Sequence, residues 1–250
     1  MTLPGYFKAA GYIVTGGGKI FHPEEPNDND PVSWTDVAAG ASCTNSSDHG
    51  PCTRWQYSFG GYDGCKNNVS TSCPGCHHGS DWCAVDNALE TADEKMAAVM
   101  TQRLRDIVAS KTTRPFFMSV GFLKPHLPYA APVRYYDAVD KKFGADGFPI
   151  ANASGMQMPL GAPRLAWYDY FASLSTKEGK SYCHDASLKS SNCKGAVPMT
   201  ALFPLAPLRD LTRAYGAAIS MVDEQFGKLI STLDELSLTD KTVVAFIGDQ

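Results

Sequence analysis

The stretch Pro115-Phe116-Phe117-Met118-Ser119-Val120-Gly121-Phe122, running on into Leu123-Lys124-Pro125-His126-Leu127-Pro128, decides the fold. Its first half is a short apolar run with little polar alternation, the pattern of a strand buried on both faces in a parallel sheet. Its second half leaves that strand through prolines on both sides of His126, which restrict the backbone and aim the imidazole in one direction. Just upstream, Met96, Val99, Met100, Leu104, Ile107 and Val108 recur at helical spacing and predict a helix from about Thr91 to Ala109. Arg103, Arg105 and Asp106 take its wetter positions.

The same alternation continues outward in both directions. Toward the C-terminus, Leu208, Leu211, Tyr215, Ile219, Val222, Phe226, Leu229, Leu233 and Leu236 predict a long helix. Asp240 and Lys241 mark a turn, and Val243-Val244-Ala245-Phe246-Ile247 predicts a second buried strand ending in Gly248-Asp249-Gln250. Toward the N-terminus, Thr2 is placed to cap a short helix through Phe7 to Ala10, stopped by Gly11. Tyr12-Ile13-Val14 then reads as a brief strand feeding Gly16-Gly17-Gly18-Lys19-Ile20-Phe21-His22-Pro23, whose glycines permit a tight turn at the strand end. Residues 129 to 206 read mainly as loop, with a helical turn near Arg134 to Val139 and a small loop that Cys183 and Cys193 are spaced to close. Helix alternating with short apolar strand is the mark of an α/β fold with a parallel sheet.

With 250 residues, 44% of them hydrophobic, the chain can bury a sizeable core of one α/β domain or of part of a larger one. A net charge of -4 gives no electrostatic footprint for nucleic acid, and no apolar run reaches membrane-spanning length. Between Glu24 and Asp86 the periodicity disappears under Gly, Asn, Ser, Asp, Pro and Cys, with Trp34, Trp55, Tyr57, Phe59, Tyr62 and Trp82 scattered through it. Six of the eight cysteines (Cys43, Cys52, Cys65, Cys73, Cys76, Cys83) fall in this segment, which reads as a disulfide-stapled insert over the surface. Cys73-Pro74-Gly75-Cys76-His77-His78, with Cys65 and Cys83, also offers zinc-type ligands, although not at the spacing of a standard zinc module. The acceptor sequons at Asn45, Asn68 and Asn152 favour the oxidising alternative and a secreted or endomembrane-lumenal glycoprotein. Met1-Thr2-Leu3-Pro4-Gly5 is not an export signal, so the expectation is a chain whose signal peptide lies upstream of residue 1.

Three predicted strands end in chemically capable residues: Lys19 and His22, Lys124 and His126, Asp249 and Gln250. Ligands of open parallel sheets bind beyond the strand C-termini, so their convergence carries more weight than any one of them. Lys19 and His22 pair a compact positive charge with a group that exchanges protons near neutrality. The plainer reading of that pair is a solvated lysine beside a packed histidine, and His126 alone would pass for a structural histidine bonded to a carbonyl. Asp249, with the amide oxygen of Gln250, offers hard ligands to Ca²⁺, or simply accepts loop amides.

These residues carry a resemblance. Thr2 to Gly11 followed by Gly18-Lys19-Ile20-Phe21-His22-Pro23 resembles the segment after the nucleophile in sulfatases of the iduronate-2-sulfatase type. Lys124-Pro125-His126-Leu127-Pro128 is similar to their KPHxP segment, and Tyr215 to Asp249 to the helix and strand that lead to their metal-binding SDHG-like motif. The order is kept from end to end, while the cysteine-rich insert and residues 140 to 205 match poorly. The resemblance implies an alkaline-phosphatase-like fold, a parallel or mixed sheet flanked by helices and incomplete at both ends in this chain. It further implies hydrolysis of sulfate esters by a formylglycine nucleophile with Ca²⁺, and a formylglycine-generating enzyme as partner of the full-length protein. Lys19 would contact sulfate and nucleophile, His22 would hydrogen-bond the nucleophile, Lys124 and His126 would bind sulfate, and Asp249 and Gln250 would hold the metal. The residues depart from the pattern in three ways: no C/S-x-P-S-R motif occurs, the early acidic pair is absent, and Gln250 stands where His or Asn is usual.

Residues 1 to 250 are therefore expected to be part of a sulfatase catalytic domain, inactive alone, with 24 to 86 as its stapled insert and a sulfated sugar as the substrate of the whole. Another hydrolase of the same superfamily, such as a phosphodiesterase, would use the same Lys, His and hard metal. A secreted glycan-binding protein that has lost catalysis is the non-enzymatic alternative. With sheet edges left uncovered, the isolated chain is expected to be poorly soluble.

Overall fold

The computed structural model describes residues 1–20, 30–35, 82–88, 90–126, 129–144, 174–175, 181–182 and 205–248. In chain order the elements are α1 (Leu3–Ala9), β1 (Ile13–Gly18), a 3-10 turn (Pro31–Ser33), β2 (Trp82–Val85), α2 (Ala92–Ala109), β3 (Phe116–Gly121), β4 (Tyr129–Pro132), α3 (Val133–Phe143), β5 (Leu174–Ser175), β6 (Ser181–Tyr182), α4 (Leu205–Glu235) and a closing 3-10 turn (Thr239–Lys241). The architecture is α/β. It divides into two compact units, one of residues 1–59, 91–123 and 222–250, the other of 60–90 and 124–221.

In the first unit β1 and β3 pair in parallel, from Ile13 opposite Phe116 to Gly18 opposite Gly121. β1 is buried along its whole length. On its other side the Thr35 N–H donates to the Val14 carbonyl at 2.7 Å. The segment 30–35 is held there by Lys8, whose ammonium donates to the carbonyls of Val32 and Trp34 at 2.7 and 2.6 Å. Asp30 accepts from the Thr2 hydroxyl at 2.5 Å and from the Ser33 hydroxyl. Thr2 also caps α1 by accepting the Gly5 N–H at 3.2 Å. Phe7 of α1 stacks on Phe117 of β3 with ring centroids 4.4 Å apart.

The glycines of β1 are strand residues rather than the turn the sequence predicted. A side chain at Gly16 would strike the ring of buried Trp34 at 2.6 Å, and one at Gly17 would meet the Met96 sulfur at 2.8 Å. They admit close neighbours, and only Gly18 has a positive φ, +83°. Helix α2 begins with a full capping box: the Thr91 hydroxyl accepts the Glu94 N–H at 3.3 Å while the Glu94 carboxylate accepts the Thr91 N–H at 2.8 Å. Its inner face sets Met96 and Met100 into a core with Leu229 of α4, closed by Met118, Val120 and Phe122.

In the second unit β2 and β4 pair in parallel, Trp82 opposite Tyr129 and Val85 opposite Pro132. Trp82, Ala131, Tyr135, Tyr136, Val139, Ala214, Ala217 and Met221 form its core, the alanines letting α4 approach closely. Tyr136 donates its hydroxyl to the Tyr129 carbonyl at 3.1 Å, and burial pushes its phenol above the ordinary tyrosine range. Arg213 of α4 grips Asp140 of α3 with both ends of its guanidinium fork, and the Asp140 hydrogen bond raises the arginine further. β5 and β6 form a two-residue antiparallel pair.

Three differences from the sequence-based expectation stand out. Trp82–Val85 lies inside the predicted structureless segment and is a strand, specified by the parallel partner 129–132 rather than by its own four residues. The predicted turn near Arg134 is an 11-residue helix. Val243 to Ile247 is not a strand: no described residue offers it a ladder, and Val243, Phe246 and Ile247 are 97%, 70% and 79% exposed. Cys83 is disulfide-bonded, which removes it from any zinc set. The other seven cysteines, His77, His78 and the sequons at Asn45, Asn68 and Asn152 lie outside the described residues.

Candidate active site

The parallel pairing of β1 with β3 brings two strand C-termini side by side. The approach is closest at their last residues, Gly18 and Gly121. A Cβ on Gly18 would lie 1.9 Å from the Gly121 oxygen, and one on Gly121 would lie 2.2 Å from the carbonyl carbon and oxygen of Lys19. No larger residue fits either position without moving backbone. Through this gap the Lys19 N–H donates to the Gly121 carbonyl at 2.8 Å, extending the ladder by one bond past β1. Lys19 is thus the first residue beyond one strand, half-buried and held by its own backbone.

Beyond β3 the chain passes through Phe122 and Leu123 into Lys124, Pro125 and His126, with a cis bond between Lys124 and Pro125. Lys124 is only 5% exposed, and its ammonium donates to the His126 carbonyl at 3.1 Å. That bond ties the two ends of the three-residue segment together, so Lys124 shapes the backbone that carries His126. His126 itself is half-buried. Predicted site residues His22, Asp249 and Gln250 lie outside the described residues.

One carboxylate went unread in the sequence. Asp93, in the first turn of α2, is buried, and its Oδ1 accepts the Leu123 N–H at 2.7 Å. The partners are 30 positions apart, so neither periodicity nor motif spacing signals the contact. Its one local clue was an acidic residue in a first helical turn, which ordinarily means no more than a favourable interaction with the helix dipole.

Among the described residues no three His, Cys, Asp or Glu side chains gather to hold a cation. The described groups therefore do not fit a metal site on their own. In the first unit Lys19 carries a positive charge just past the end of β1, and in the second Lys124 and His126 lie together through the Lys124 ammonium and the His126 carbonyl.

The sulfatase family model matches residues 1–250. Iduronate 2-sulfatase of Homo sapiens is 27% identical over 254 residues, which cover 99% of this chain and 40% of that protein. The Mus musculus iduronate 2-sulfatase is likewise 27% identical, over 99% of this chain and 39% of its own length. The chain thus spans about two fifths of the curated relatives it matches. The phosphonate monoester hydrolase of Agrobacterium radiobacter superposes with a TM-score of 0.48 at 16% identity, over 96% of this chain and 45% of that one.

Proposed function

The chain belongs to the sulfatase family, and on that premise we propose that the full-length protein hydrolyses sulfate esters, with a sulfated sugar as substrate. The observation that carries the reading is the closure of β1 on β3 at Gly18 and Gly121, which sets two strand C-termini side by side with Lys19 just beyond one of them. Two such ends are where an open parallel sheet places its ligands. The name shared by the two relatives supports a sugar.

In this reading the Lys19 ammonium stands against a sulfate oxygen as a point charge. His126 donates a hydrogen bond to another oxygen, and stabilises the charge that builds there as the ester bond breaks. Lys124 adds positive charge from behind and keeps His126 in place through the carbonyl bond. His22 would hydrogen-bond the nucleophile, and Asp249 and Gln250 would offer oxygen ligands to Ca²⁺. Formylglycine is what the family implies as nucleophile, and no residue of this chain sits in a C/S-x-P-S-R motif to become it. A formylglycine-generating enzyme as partner, a secretory or lysosomal compartment, and an insert at 24–86 stapled by disulfides belong to the same proposal.

The test is turnover of an aryl sulfate by the full-length protein, beside an aryl phosphate diester. Sulfate release that Lys19→Ala and His126→Ala each lower by about 10²-fold or more supports the reading, on the scale of a lost oxyanion donor. Diester cleavage without sulfate release would make the protein a phosphodiesterase-like member of the superfamily. Binding of a sulfated polysaccharide with no turnover of either ester would make it a glycan-binding protein.

A further inference from the structure

We propose that Tyr215 is a specificity-determining residue, its ring the platform on which the sugar of a sulfated substrate stacks. The inference rests on the sulfated-sugar reading and adds the subsite that holds the ring. Helix α4 buries Ala214, Ala217, Ala218 and Met221 and turns Tyr215 and Ile219 outward, one turn apart and 39% and 43% exposed. Single exposed apolar side chains are common and mean little. Tyr215 differs in being held. Its ring meets that of Tyr129 edge to face, with centroids 5.2 Å apart and planes at 78°. In such a pair each ring keeps a face that the other does not cover. Tyr129 is itself fixed, at the head of β4 and with its carbonyl accepting the Tyr136 hydroxyl at 3.1 Å.

The place of this pair along the chain ties it to the segment proposed to bind sulfate. Tyr129 follows His126 by three positions, so their Cα atoms are at most about 10–11 Å apart. Both tyrosines, Lys124 and His126 belong to the same compact unit. That reach suits a sugar bound through its sulfate at one end and through its ring at the other. A tyrosine fits the second task for two reasons. Its ring offers a broad, rigid apolar face at little cost in conformational entropy, matching the C–H face of a pyranose. Its hydroxyl both donates and accepts hydrogen bonds, as sugar hydroxyls do. Ile219, one turn along α4, widens the same apolar face.

The test uses the full-length protein and a pool of sulfated disaccharides from digested glycosaminoglycan, with sulfate loss followed by mass. Tyr215→Ala should raise KM for whichever disaccharide is desulfated by about 5- to 10-fold, the scale of one lost aromatic contact. Inhibition by inorganic sulfate, which has no ring to stack, should stay within about 2-fold of wild type. Tyr215→Trp keeps an aromatic face and should hold KM within about 3-fold of wild type. If the alanine variant does not fold, Tyr215→Leu, which keeps apolar bulk against Tyr129 without the ring, decides in its place. An unchanged KM in the alanine or leucine variant overturns the proposal. So does inhibition by inorganic sulfate that weakens in step with KM, which would place the effect at the anion site. A wild type that cleaves an aryl sulfate but none of the disaccharides overturns the sugar reading and this subsite, and leaves the sulfatase reading standing. A wild type inert to every ester overturns the sulfatase reading alone. The subsite is then judged by equilibrium dialysis of the same pool, whose binding Tyr215→Ala should weaken by about 5- to 10-fold. A pool that the wild type does not bind overturns both.

Discussion

Replacing Gly121 by alanine adds a single methyl group at the place where the two strand ends meet. The new Cβ would lie 2.2 Å from the Lys19 carbonyl carbon and oxygen and 2.6 Å from its nitrogen. All three are backbone atoms of a half-buried segment tied to β3, so no side chain can swing aside. Overpacking of a well-filled core costs about 1–3 kcal/mol, and backbone contacts this short put the cost near or above ~3 kcal/mol. At roughly 2–4 °C per kcal/mol for a chain of this size, Tm should fall by about 6–12 °C. Two further glycines serve as internal standards. At Gly17 the obstacle is the Met96 sulfur at 2.8 Å, the far part of a flexible side chain, so Gly17→Ala should cost below about 1.5 kcal/mol. At Gly227, inside α4, no atom lies within 4 Å, and Gly227→Ala should stabilise by about 0.5–1 kcal/mol through helix propensity alone. Urea unfolding of the three variants gives the order, and aryl sulfate turnover should fall furthest in Gly121→Ala because Lys19 is displaced. A Gly121→Ala midpoint no lower than that of Gly17→Ala would refute the close approach of the strand ends, and the site built on it.

Other expectations follow from local contacts. Thr91→Ala removes one half of the α2 capping box and should cost about 1 kcal/mol, seen as a Tm lower by roughly 2–4 °C; an unchanged Tm would mean that the box contributes nothing. The hydroxyl of buried Thr15 has no hydrogen-bond partner among the described residues, so Thr15→Val should be neutral or stabilising by up to about 1–2 kcal/mol, and clear destabilisation in urea would reveal a partner. Hydrogen bonds from Ser33, and then from Thr2, hold the Asp30 carboxyl below the ordinary carboxylate range near ~3.9, against a smaller opposing effect of burial. A depressed folded-state pKa gives stabilisation that is present above the unfolded value and fades as pH falls below it. Tm of the wild type should therefore drop more steeply than that of Asp30→Asn below about pH 4, and parallel acid limbs would count against the bonds.

How much of this was legible follows the range over which each signal acts. Helix α2 announced itself through Met96, Met100, Leu104 and Ile107 on one face, all within one short window. β3 was read from its apolar run, although the full burial expected of it is not reached: all six of its residues are half-buried. β2 was not, because Trp82-Cys83-Ala84-Val85 becomes a strand only through residues 129 to 132, more than 40 positions away. The opposite error at Val243 to Ile247 has the same origin. Five apolar residues state a strand's preference for burial, but a ladder is made by two segments, and among the described residues the second is lacking. Of the candidate site, Lys19, Lys124 and His126 could be proposed from the sequence because strand ends and prolines mark them there. Asp93 was missed because its contact joins residues separated by a whole helix and strand.

The glycine run of β1 shows why candidate residues were easier to name than the packing that positions them. In sequence, Gly16-Gly17-Gly18 signals turning freedom, and a turn was the natural expectation. In the fold the three positions are defined by what stands opposite them: the Trp34 ring, the Met96 and Met100 sulfurs, and the Gly121 carbonyl. An alanine-sized strand would push each of these outward, and the last displacement would break the bond by which the Lys19 N–H is tied to β3. Gly18 alone also needs glycine for its backbone angle, and it is the residue that turns the chain into Lys19. The placement of the proposed sulfate-binding ammonium is thus an outcome of packing: missing side chains on β1 and at Gly121 let two strands close, and the closure sets where Lys19 begins.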